Sequence, residues 1–249
     1  MSLFGRQAST PSDHAGRTAS QEVPGILGAL LRLLFWIALS LLASIIVEWI
    51  GMTWWWSDEG TGHSQMILET EIGYLSGDLR RSAFVQDTAA YARHVADTGY
   101  EWIWVQSGLV SAFQWMAVRP SHDASAFRQM LYRAHLGVAE YVTAAATITQ
   151  VFFVRLAVLS LSMPAFVLAL LVGFLDGAVQ RDLRKWGGGR ESSFVYHHAR
   201  RWIVPIFILV WVLYLSLPFS VHPAIAVLPF AAVLGLLMAI TVSSFKKYL

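Results

Sequence analysis

Four apolar runs decide most of what this chain can become. Residues 26–47 (ILGALLRLLFWIALSLLASIIV), 151–175 (VFFVRLAVLSLSMPAFVLALLVGFL), 203–219 and 221–243 each approach or exceed the length of a bilayer-crossing helix, which needs about 20 predominantly apolar residues. With 56% hydrophobic residues, 14% charged residues and a mean hydropathy of +0.52, a soluble domain of 249 residues could not hide its apolar surface. The expected fold class is an all-α integral membrane protein with four transmembrane helices and a helical extracytoplasmic domain, 48–150, between spans 1 and 2. Between the last two spans PFSVHP leaves room only for a tight hairpin, with Pro218 closing one helix and Pro223 opening the next.

The basic residues set the expected orientation. The loop 176–202 carries Arg181, Arg184, Lys185, Arg190, Arg200 and Arg201, and Lys246 and Lys247 follow span 4, whereas the hairpin between spans 3 and 4 carries no cation. Positive loops stay inside, so this loop, the 1–25 tail and the 244–249 C-terminus are expected in the cytoplasm of a bacterial inner membrane. The tail, rich in Ser, Gly, Ala and Thr, reads as disordered. An uncharged stretch, Trp102 to Val118, offers an alternative fifth span; crossing there would place both cationic clusters outside, so it reads as a buried or membrane-lying helix.

In the outer domain Leu68, Ile72, Leu75 and Leu79 draw one apolar helical stripe beside Glu69, Glu71 and Asp78. A second helix should run to a left-handed cap at Gly99, the Trp102 segment should make a third, and Ser121 should cap a further helix that continues as a single rod into span 2. Trp54, Trp55 and Trp56 suit the headgroup layer as interfacial anchors, as does Trp202. Arg32, Glu48, Arg155 and Asp176 lie near span ends, where each is expected to reach water, which argues against a monomeric carrier or channel. Pro164 and Pro229 should kink their helices, and Gly173 and Gly235 offer close helix approach.

The chemically densest stretch is RKWGGGRESSFVYHHARR, Arg184 to Arg201. It lacks the lysine of a phosphate-binding G-x-x-x-x-G-K-[ST] loop and the nucleophile elbow of a serine hydrolase, which argues against ATP binding and acyl transfer. Two readings of Gly187, Gly188, Gly189, Arg190, Glu191 and Ser192 stand side by side: a backbone nest for an anion such as a lipid phosphate, or a helix break followed by a serine-capped helix re-entering the bilayer. His197 and His198 project about 100° apart on a helix, which disfavours a shared metal; with Arg200 and Arg201 they read as a partner-contact surface. Neither metal nor cofactor is expected. With no cysteine, disulfides and thiolate chemistry are excluded. The net charge of +2 gives no footprint for specific nucleic-acid binding.

The segment DGAVQRDLRKWGGGRESSFVYHHARR, preceded by a proline-bearing span and followed by a two-span hairpin, resembles an inner-membrane protein family of integrating conjugative elements whose shared domain has no assigned function. A four-span layout and a GRESxFVYHHA loop recur in that family, matched here by Gly189, Arg190, Glu191, Ser192, Phe194, Val195, Tyr196, His197, His198 and Ala199. The resemblance covers most of the chain beyond the tail; the outer domain shares mainly its layout. It implies a role in conjugative DNA transfer, beside the coupling ATPase of a type IV secretion channel and other conjugation membrane proteins, and it implies no catalytic residues. The expected function is therefore a non-enzymatic inner-membrane accessory that docks the coupling ATPase through its cytoplasmic loop, with self-association left open. The alternative is a lipid-modifying enzyme or small-solute carrier using the same loop at the membrane surface.

Overall fold

The computed structural model describes residues 25–77, 86–121, 123–187 and 193–245. The described residues form eight α-helices and one π-helical turn, with no strand: α1 (Gly25–Trp54), α2 (Gly62–Gly77), α3 (Thr88–Tyr100), the turn Glu101–Val105, α4 (Leu109–Ala117), α5 (Ala126–Leu161), α6 (Met163–Trp186), α7 (Ser193–Ser216) and α8 (Pro223–Ser243). Four apolar stretches are long enough to cross a membrane: Leu30–Trp54, the joined Ala126–Arg184, Tyr196–Ser216 and Pro223–Ser243.

The spine is α5, a 36-residue helix about 54 Å long at 1.5 Å per residue. Its N-cap is Ser125, whose hydroxyl accepts from the Arg128 amide at 3.4 Å. The start therefore falls at Ser125, not at Ser121 as the sequence suggested. The expected rod into the second apolar run is present, but it stops at Ser162, whose own hydroxyl donates to the Val158 carbonyl at 2.8 Å. Pro164 then falls in the first turn of α6, where its missing N–H leaves no hydrogen bond unmade.

Helices α2 and α3 lie along α5, α1 packs on α5 and α7, and α8 packs on both α6 and α7. The core they enclose includes Phe152, Val158, Leu159, Phe166, Val210, Trp211, Leu215 and Leu234. The close approach expected at two glycines joins α6 to α8: a β-carbon at Gly173 would collide with the Gly235 carbonyl, and one at Gly177 would sit 2.6 Å from the Ala239 carbonyl oxygen. The hairpin turns through 217–222 as its prolines require, and His222 Nδ1 caps α8 by accepting from the Ala224 amide at 3.2 Å.

Two local expectations are corrected. Gly99 caps nothing: α3 runs through it, and its missing side chain makes room for the Phe153 ring. The stretch Trp102 to Val118 is not one continuous helix. A π-helical turn ends at Val105, Gly108 adopts φ +79° and only nine residues of α4 follow, too few for a span.

The helices meet α5 at different heights. Trp49 Nε1 donates to the Tyr141 carbonyl at 2.8 Å near the C-terminal end of α1, while Ile37 and Leu41, earlier in α1, pack on the core cluster to which Phe152 and Val158 of α5 belong, so α1 is antiparallel to α5. The α7–α8 turn meets α5 at Arg155, 14 residues or about 21 Å further along the same helix.

Candidate functional site

The most heavily bonded side chain is Arg155. Its Nε and one terminal nitrogen donate to Glu71 Oε1 at 3.0 and 2.9 Å, and its terminal nitrogens also donate to the carbonyls of Leu217 (2.6 Å), Phe219 (2.9 Å) and Tyr214 (3.3 Å). The Tyr214 hydroxyl donates to Glu71 Oε2 at 3.4 Å. One guanidinium thus satisfies carbonyls left over where α7 ends and fastens them to α2. Arg155 and Glu71 are 1% and 0% exposed. Arg155 does not reach water as the sequence suggested; it finds its carboxylate inside the protein, since a buried charge needs a partner.

Glu71 was assigned to the polar face of the α2 stripe, and the structure reverses that. The buried residues of α2 are Ser64, Ile67, Glu71 and Leu75, with Leu68 and Ile72 partly buried against the core. Asp78 and Leu79 lie outside the described residues. Burial pushes the Glu71 carboxyl above the usual carboxylate range, against the opposing pull of the Arg155 charge and of the bonds from Arg155 and Tyr214. Ser220 adds a second tie by donating to the Ile67 carbonyl at 3.4 Å. This clamp makes α2, α5 and the α7–α8 hairpin one mechanical unit.

A second buried acid lies near the end of α1. Glu48 is 1% exposed and contacts His63 Nδ1 at 3.1 Å, so it too fails to reach water. The His63 ring stacks on Trp56, centroids 3.9 Å apart, and Trp56 in turn lies over Gly51. His63 is therefore a partner of Glu48. Trp54 and Trp55 are exposed, while Trp56 points into this cluster.

Of the loop singled out in the sequence, Gly188, Gly189, Arg190, Glu191 and Ser192 lie outside the described residues. Gly187 ends α6, its amide donating to the Leu183 carbonyl at 3.0 Å. In the first turns of α7, His197 packs edge-on against Tyr196, Trp202 Nε1 donates to His198 Nε2 at 3.2 Å, and Arg200 donates to the Tyr196 hydroxyl at 3.3 Å. His197, His198, Arg200 and Arg201 are exposed, as is Trp202. Arg184 donates to the Ser243 carbonyl at 3.0 Å and Arg181 lies over Phe245, so the ends of α6, α7 and α8 gather with their cations. Among the described residues no group of three His, Asp or Glu side chains is placed to hold a metal.

Four stretches long and apolar enough to cross a membrane are compatible with a multi-pass membrane protein. The chain belongs to the family described as IncC plasmid conjugative DNA transfer protein DtrJ-like, whose model matches residues 55–246. The family points to conjugative DNA transfer as the process this chain serves. No curated protein and no solved structure matches the chain.

Proposed function

We propose that the protein is a non-enzymatic inner-membrane component of a conjugative DNA-transfer apparatus, docking the coupling ATPase through 176–202. In this reading both termini and the cationic loop are cytoplasmic, and α2, α3, α4 and the first half of α5 face the extracytoplasmic compartment toward other conjugation proteins. The observation that carries it is family membership over residues 55–246. The geometry adds that the cationic ends of α6 and α7 join, through the Arg155 clamp, to the helices at the other end of the molecule. A partner bound at one end would then be mechanically connected to the other.

The test replaces Arg190, Glu191, His197 and His198 together with alanine and measures membrane insertion, co-purification of the coupling ATPase and transfer frequency. Normal insertion with co-purification and transfer both lost is expected. Normal insertion with undiminished co-purification refutes the docking role. Because the chain has no cysteine, single cysteines at 187 and 60 report orientation by labelling from either side. Labelling of position 187 from outside overturns the topology.

A further inference from the structure

Helix α6 packs chiefly on α8, and α8 stands between α6 and α7. Along the α6–α8 seam a groove of about 580 Å³ opens, with Leu168, Val172 and Asp176 on one wall and Leu228, Ala232 and Leu236 on the other. The bare side of α8 continues it: Ile225, Leu228, Ala232 and Leu236 are exposed at helical spacing, while Ala226, Val227 and Leu234 are buried on another side. Acyl chains can fill the apolar part of such a groove, but they bring no cation to Asp176, the one ionisable side chain in its lining.

Asp176 is exposed, and Gln180 Nε2 donates to one of its oxygens at 2.7 Å. No cation pairs with it among the described residues. It lies within the apolar stretch Ala126–Arg184, where a carboxylate is costly unless it finds a partner. The chain carries the complementary charge at a matching height. Gly177 packs on Ala239, so Asp176 is level with Met238 of α8. The Tyr196 and Phe245 rings meet, so Arg201, five residues further along the antiparallel α7, is level with Ile240. The two-residue offset is about 3 Å in height. Arg201 is exposed and has no carboxylate partner among the described residues. Within one molecule α8 separates the helices that bear these charges. In a twofold pair about the membrane normal, interacting groups must share a height, and α6 of one copy can face α7 of the other.

We propose that a second copy of this chain packs on the open face of α6, α8 and α7, α8 against α8, with Asp176 of each copy bonded to Arg201 of the other. The proposal rests on α6, α7 and α8 crossing the membrane and not on what the 176–202 loop docks. Because the chain has no cysteine, L236C, on the bare side of α8, is expected to give a disulfide-linked dimer in native membranes. L171C, exposed on another face of α6 outside the groove, is not. In the L236C background D176N and R201Q are each expected to cut the dimer yield about fivefold. The exchange D176R/R201D is expected to restore it, a rescue that misfolding alone would not produce. Absence of an L236C dimer, an equal yield from L171C, or a yield unchanged by both neutralisations overturns the surface. An exchange variant as poor as the single ones overturns the Asp176–Arg201 contact.

Discussion

Replacing Arg155 with leucine isolates the clamp. The substitution removes both donors to Glu71 Oε1 and the donors to the Leu217, Phe219 and Tyr214 carbonyls. Glu71, 0% exposed, would be left buried without a counter-charge, held by the 3.4 Å bond from Tyr214 and the Val221 amide. Removing one member of a buried pair costs about 3–5 kcal/mol, and a carbonyl that stays dry without a donor adds about 1–3 kcal/mol. Arg155→Leu is therefore expected to lose at least about 3 kcal/mol in a reversible unfolding titration in mixed detergent micelles. Protease should cut within α2 first, because its hold on the hairpin then rests on the Ser220–Ile67 bond, the bonds remaining at Glu71 and the Tyr74–His222 ring contact. Glu71→Leu should cost a similar amount by stranding the guanidinium. The double variant should be less destabilised than the sum of the two by about 3 kcal/mol, because neither charge is then left alone. Additive single effects, or an Arg155→Leu loss below about 1 kcal/mol, would refute a clamp.

Gly173→Ala should separate α6 from α8, because its methyl would collide with the Gly235 carbonyl backbone; overpacking of about 1–3 kcal/mol should appear as a lower thermal midpoint and loss of a 177–239 cysteine crosslink. Gly108→Ala meets no neighbouring atom yet must hold φ +79°, so a loss of about 1–2 kcal/mol by the same unfolding titration is expected from backbone strain alone. His63→Ala strands the buried Glu48 and unstacks Trp56; about 2 kcal/mol should be lost, with a change in tryptophan emission that Trp54→Ala does not produce.

Much of the architecture was readable because it depends on local features. The proline-bounded hairpin and the fourth apolar run, 221–243 in the sequence and Pro223–Ser243 in the structure, follow from run length and from proline's missing N–H. The Gly173–Gly235 contact follows from the absence of side chains. Glu71 was misplaced because its partner is 84 residues away, and periodicity reports only which face a residue occupies, not what is waiting there. A signal was nonetheless available: an arginine inside VFFVRLAVLSL demands a carboxylate wherever the run is enclosed. The same holds for Glu48 and His63, where separation along the chain hides a contact made by the fold. Ser121 and Ser125 are both competent caps, and only the packing of Arg128 on Trp115, with donation to the Trp115 and Val118 carbonyls, selects the second.

The offset between α1 and the hairpin bears on how the molecule can stand in lipid. Their footholds on α5 are about 21 Å apart, so the greasy rim on the α1 flank rises well above the one on the hairpin flank. In the proposed membrane arrangement, a flat hydrocarbon layer of about 30 Å could meet both rims only if the bundle leaned. Whatever leaning leaves uncovered has to be absorbed by stretched acyl chains beside α1 or by a neighbouring protein. A bystander in a uniform bilayer would gain nothing from such a slanted girdle, whereas a member of a larger machine can bring its neighbour to the uncovered flank.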